Sequence, residues 1–134
     1  MADWSANGLP LEGASVPRRL LDVLRRDVPR CGPGDRVAVA RDRAAGAGWS
    51  DCVVVNDAGI VLGILRRRAL AGDPDALAED TMDPGPVTYR PGDPADRTAR
   101  RLAERQVTRG LVTTSDGELV GMFFVADVLG AESA

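Results

Sequence analysis

Two short apolar runs joined by a polar turn, with a helical stretch in front of them, occur twice along the chain. In the first half, Cys52–Val55 and Ile60–Leu65 read as buried strands, and Asp57-Ala58-Gly59 between them is a tight turn, because Gly reaches φ > 0 without steric cost. In the second half, Leu111-Val112 and Leu119–Val125 flank the turn dipeptide Asp116-Gly117. Ahead of the first pair, a helix capped by Ser15 is expected to run to about Val28, with Leu20, Leu21, Leu24 and Val28 on one face and Pro29 ending it. After the Pro33-Gly34 turn, Asp35 is read as the cap of a helix carrying Val37, Ala40, Arg41 and Ala44 that weakens at Gly46 and Gly48. Asp93 is read likewise, with Pro94 at the first helical position and Ala95, Ala99, Leu102 and Ala103 as the apolar stripe. Arg66–Leu70 forms a short helix stopped by Gly72-Asp73-Pro74, and Asp127 stands where the last strand opens into a final helix.

Displacing the chain by 58 residues superposes these patterns without a gap. Asp22 meets Asp80, Pro33-Gly34-Asp35 meets Pro91-Gly92-Asp93, and Val54 meets Val112. Gly59, Gly63 and Gly72 meet Gly117, Gly121 and Gly130. The matches concentrate at turn and cap positions, where backbone geometry restricts the residue, and that is the mark of an internal duplication. The expected organisation is a polar, flexible tail over 1–15, a first repeat over 16–72 and a second over 73–134. The fold class is α+β, as tandem β-α-β-β-α units packed with pseudo-twofold symmetry. One unit of about 58 residues buries too little surface to be stable alone, so the two must share a core. Clefts between two such units favour small molecules.

Composition narrows the chemistry. All 17 basic residues are Arg, against 20 acidic ones and no His, for a net charge of −3. That balance argues against a nucleic-acid polymer as partner, since such affinity rests on neutralising phosphates. Cys31 and Cys52 are the only cysteines, which excludes a four-ligand zinc site within one chain. There is no signal-peptide pattern and no apolar run of about 20 residues, so a cytoplasmic protein without a membrane span is expected. With no His, no Gly-x-Ser-x-Gly elbow and no phosphate-binding P-loop, the chain is not expected to be an enzyme.

The order, spacing and duplication of these motifs resemble the CBS domain pair, or Bateman module. The second copy carries the resemblance best, in the run Leu111-Val112-Thr113-Thr114-Ser115-Asp116-Gly117-Glu118-Leu119-Val120-Gly121-Met122 and on through Asp127-Val128-Leu129. Its lead-in, Glu79-Asp80-Thr81-Met82 followed by Pro86-Val87-Thr88-Tyr89-Arg90-Pro91, is also similar to that family. The first copy, Val53 to Leu70, matches more weakly, and the resemblance spans roughly 16–132. It implies binding of an adenosine-containing ligand (AMP, ADP, ATP or S-adenosylmethionine) with no cofactor, a homodimer, and regulation of an effector protein in trans.

The resemblance also implies where the ligand sits. Ribose hydroxyls are held by an Asp after the last strand, a Thr or Ser three positions earlier meets phosphate or ribose, and adenine enters an apolar slot from the other repeat. Asp127 stands at the ribose position, and an ionised carboxylate accepts two hydrogen bonds from vicinal hydroxyls. The Thr/Ser position is Phe124, with Met122 on the same strand. In the first copy those two positions are Ala69 and Arg66, so that cleft lacks the ribose carboxylate but has charge for a phosphate. The expected site joins Asp127, Phe124 and Met122 to Pro29, Arg30, Trp49, Ser50, Cys52 and Val53, with Trp49 against the purine and Arg30 near phosphate. Blander roles stand beside these: Asp127 as a helix cap, Trp49 as core or dimer packing, the Arg66-Arg67-Arg68 run as a solvated face, the cysteines as small buried hydrophobes. A dimerisation or protein-interaction module with degenerate clefts is the alternative function.

Overall fold

The computed structural model describes residues 18–130. In chain order its elements are α1 (Leu20–Val23), β1 (Arg30–Cys31), α2 (Val37–Ala47), β2 (Cys52–Val55), β3 (Val61–Leu65) and α3 (Arg67–Leu70). They continue with α4 (Ala78–Thr81), β4 (Asp83–Pro84), β5 (Thr88–Tyr89), α5 (Ala95–Glu104), β6 (Arg109–Thr113), β7 (Leu119–Phe124) and α6 (Val125–Leu129). One sheet has the order β1-β2-β3-β4 and the other β5-β6-β7. In each, a short strand runs parallel to the first long strand and the hairpin partner runs antiparallel. The register shift between Val54 and Val55 recurs between Val112 and Thr113.

The duplication therefore holds in three dimensions, down to single hydrogen bonds. The Val37 amide donates to the Ala76 carbonyl as Ala95 does to Arg18, both at 2.9 Å. The turns meet each other across the axis: Val61 N–H donates to Gly117 O (2.9 Å) and Leu119 N–H to Gly59 O (3.0 Å). Gly48 ends α2 at φ 75° and Gln106 follows α5 at φ 62°, the same left-handed exit that a residue with a side chain adopts at some cost.

Alternation along the strands explains why these runs are apolar throughout. Cys52 and Val54 face a cluster with Ala40, Ala44, Leu65 and Leu70, while Val53 faces the other sheet. Val112 and Phe123 pack with Ala95, Ala99 and Leu102. Between the sheets lie Val28, Val53, Ile64, Leu111, Leu119 and Met122, the shared interior that neither copy forms alone. Strands covered on both faces have no polar side to show in the sequence.

The lead-in segments are exchanged. Leu20 of α1 is buried among Ala95, Leu102, Val112 and Phe123 of the second copy, and Ala78 of α4 among Cys31, Cys52 and Leu65 of the first. Each lead-in crosses a strand glycine at close range. A Cβ on Gly121 would lie 2.5 Å from the Arg25 carbonyl oxygen, and one on Gly63 would lie 2.7 Å from that of Asp83. This fits the expectation of close backbone approach at both positions.

Some local expectations are corrected. The first helix is a single turn, not an element running to Val28: beyond it Arg25 pairs with Met122 in an extended bridge and Leu21 is exposed. Packing on β7 wins over helical propensity there. Ser15 lies outside the described residues, as does the tail. Asp35 and Asp93 do not cap helices; the N-caps are Arg36 and Pro94. Instead Asp35 Oδ2 accepts from Gly32 N–H (2.7 Å) and Asp93 Oδ2 from Arg90 N–H (3.0 Å), closing the turn before each helix. Ala103 is exposed, and Thr98 takes its place in the buried face of α5.

Candidate functional site

Two clefts open between the repeats, related by the same pseudo-twofold. Asp51 and Arg109, 58 positions apart, meet between them. Arg109 Nη2 donates to Asp51 Oδ1 at 2.9 Å and its Nε to Oδ2, a bidentate pair in which the carboxylate is only 2% exposed. Arg109 reaches both clefts.

The first cleft brings together three of the expected residues, Trp49, Ser50 and Phe124. They line it together with Arg25, Asp51 and Arg109, around a volume of about 160 Å³. Three of its side chains pack on one another along its wall. The Trp49 and Phe124 rings lie 5.3 Å apart at 58°, and the Arg25 guanidinium sits 4.8 Å above the Phe124 ring. Arg25 also grips Asp127 through both carboxylate oxygens at 2.9 Å. That hydrogen bond, reinforced by the opposite charge, raises the Arg25 pKa. Asp127 thus neither caps α6, whose N-cap is Phe124, nor presents a bare carboxylate.

The other expected residues are spread around this cleft. Pro29 and Val53 are buried, and the Pro29 carbonyl accepts from Val53 N–H at 2.9 Å. Arg30 is exposed, with its carbonyl accepting from Arg43. Cys52 is buried beside Cys31, both as free thiols. The hydrogen bond between them pulls the Cys31 pKa down and pushes that of Cys52 up. Met122 is buried between the sheets and borders the opposite cleft.

That second cleft is the larger of the two, with a volume of about 220 Å³ against about 160 Å³. Ile64, Leu111 and Met122 form its floor, Pro86, Val87 and Val107 its apolar sides, and Arg66, Arg105 and Arg109 its charged groups. Val87 and Val107 are 75% and 42% exposed, two of the three large apolar side chains left open to solvent among the described residues. Among the described residues, Arg66 is held only by an exposed pair with Asp83 at 3.2 Å. Arg105 has no side-chain partner among the described residues.

The sequence reading brought in Arg66 but missed Val87, Arg105, Val107, Arg109 and Asp51. The 58-residue offset carries the signal for four of these. Val87 and Val107 match Pro29 and Trp49, and Asp51 and Arg109 match each other with opposite charge.

Among the described residues, no group of three or more His, Cys, Asp or Glu side chains is placed to hold a metal ion. No helix among them is long and apolar enough to cross a membrane.

Duplicated α+β units with exchanged lead-ins and paired clefts define a two-repeat α+β module. The model of the CBS domain matches residues 78–134. The cytosolic domain of the Mg2+ channel MgtE, solved in complex with ATP, is 26% identical, with a TM-score of 0.72 over 80% of this chain and 46% of its own. This chain therefore spans about half the length of that domain. CBSX2, solved in complex with AMP, has 20% identity and a TM-score of 0.73 over 86% of this chain and 96% of its own. The CBS domain pair of protein MJ0100, solved with 5′-methylthioadenosine and S-adenosyl-L-methionine, has 16% identity and a TM-score of 0.73 over 84% and 94%. No curated protein sequence matches the chain. The second half thus matches the CBS domain by sequence, and the described residues share the fold of solved CBS domain pairs.

Proposed function

We propose that this CBS pair is a regulatory sensor, not a catalyst, that takes an adenosine-containing nucleotide into the cleft of Arg66, Arg105 and Arg109 and modulates a partner protein. The observation that carries this reading is the pairing of exposed apolar lining, Val87 and Val107, with the guanidiniums of Arg66 and Arg105, of which Arg105 has no side-chain partner among the described residues. A purine fits between apolar walls, and a phosphate is held by charge-assisted bonds from Arg. The solved relatives with ATP, AMP and S-adenosylmethionine support the ligand class. Because the cleft is built from both repeats, occupancy favours one relative arrangement of them, and that difference is what a partner or a second copy in a homodimer reads. A cytoplasmic location goes with this reading.

The alternative, an interaction module with degenerate clefts, draws on the other cleft, where Trp49, Phe124 and Arg25 pack on one another and Arg25 engages Asp127. A thermal-shift panel of AMP, ADP, ATP and S-adenosylmethionine separates the two. At least one ligand should stabilise the protein, with the shift lost in Arg66→Gln and kept in Asp127→Ala. Loss in Asp127→Ala alone would move the ligand to the other cleft; a flat panel would leave the interaction module.

A further inference from the structure

We propose that the Arg66 cleft reads an anionic group and a flat apolar body but not the sugar, so that ribo- and deoxyribonucleotides bind it alike. This rests on the nucleotide reading above and specifies which chemistry that site selects.

The polar side chains of the cleft are three guanidiniums and the Tyr89 hydroxyl; every other lining residue is apolar or Gly. A guanidinium offers donors and no acceptor, so it binds phosphate oxygens but cannot accept a proton from a sugar hydroxyl. The two nearby carboxylates are already engaged, Asp51 by Arg109 and Asp83 by Arg66. The position matching Asp127 is Ala69, packed with the apolar cluster behind β2. Strong discrimination for a hydroxyl arises when its loss strands a buried polar group of the protein. A lost sugar hydroxyl strands no charged group here: the half-buried Arg109 keeps its bonds to Asp51 and Thr108, and Arg66, 53% exposed, is reached by water.

The division of labour among the arginines follows from their bonds. Arg109 is occupied, with Nε and Nη2 on Asp51 and Nη1 on Thr108 Oγ1. Arg66 has only an exposed partner, which contributes little and yields readily. Arg105 has none among the described residues, so Arg105 and Arg66 are the phosphate ligands.

The test is titration calorimetry on the full chain with AMP, dAMP, ATP, dATP and adenosine, repeated on Arg105→Gln. Each ribo/deoxy pair is expected to agree within about threefold in Kd. Adenosine should bind about tenfold or more weakly than the tighter nucleotide, a difference of about 1.4 kcal/mol. Arg105→Gln should weaken both members of a pair by the same factor and leave adenosine unchanged. A deoxy form weaker by more than about threefold, or adenosine as tight as the nucleotides, overturns the proposal while leaving the nucleotide reading intact. No binding by any of the five would defeat that reading and this inference together.

Discussion

Asp51 and Arg109 occupy the same place in the two repeats and are ion-paired with each other. A residue on a pseudo-twofold axis meets its own counterpart. In an exact duplicate that position would hold two like charges in contact, which the half-dry interior makes costly. The two copies had to differ there. Opposite charges turn the repulsion into a bidentate bond, and the pair sits where both clefts end.

Asp51→Arg should therefore be severe, because it sets two guanidiniums on the axis. A loss of about 3–5 kcal/mol is expected in urea unfolding, the range for breaking a buried pair. Adding Arg109→Asp to it should recover more than half of that loss. If the double variant is no better than the single, the pair has no independent energetic role.

The exchange of lead-ins depends on bare backbone at Gly121. An added methyl there meets the Arg25 carbonyl and the Leu24 side chain, at 2.5 and 2.8 Å from its ideal place. Gly121→Ala is expected to cost about 1–3 kcal/mol through overpacking. It should also loosen the paired bonds between Arg25 and Met122, now 2.8 and 3.0 Å, so both amides exchange hydrogen faster. Unchanged exchange at these two amides would show that the lead-in accommodates the methyl.

Arg25 is what occupies Asp127. Both side chains are largely at the surface, so Arg25→Ala should change stability by no more than about 1 kcal/mol. It frees the carboxylate and uncovers Phe124. The expected result is a second nucleotide site, raising the stoichiometry in titration calorimetry from one to two per chain. A stoichiometry that stays at one would show that the Trp49–Phe124 contact, and not the ion pair, closes this cleft.

The sequence by itself determined the duplication, the strands, the hairpin turns and the glycines at which chains cross. These rest on local rules: a turn needs a residue that tolerates its φ, and a strand buried on both faces needs an unbroken apolar run. It also marked the strand-end positions Asp127, Phe124, Ala69 and Arg66 as the places where the copies differ. Only the tertiary structure decided that α1 packs on the second copy and α4 on the first, since either sheet offers the same apolar surface. It decided likewise that Arg25 engages Asp127 at one cleft while Arg66 engages Asp83 at the other. Each guanidinium finds its partner far along the chain, and no local pattern records such a pairing.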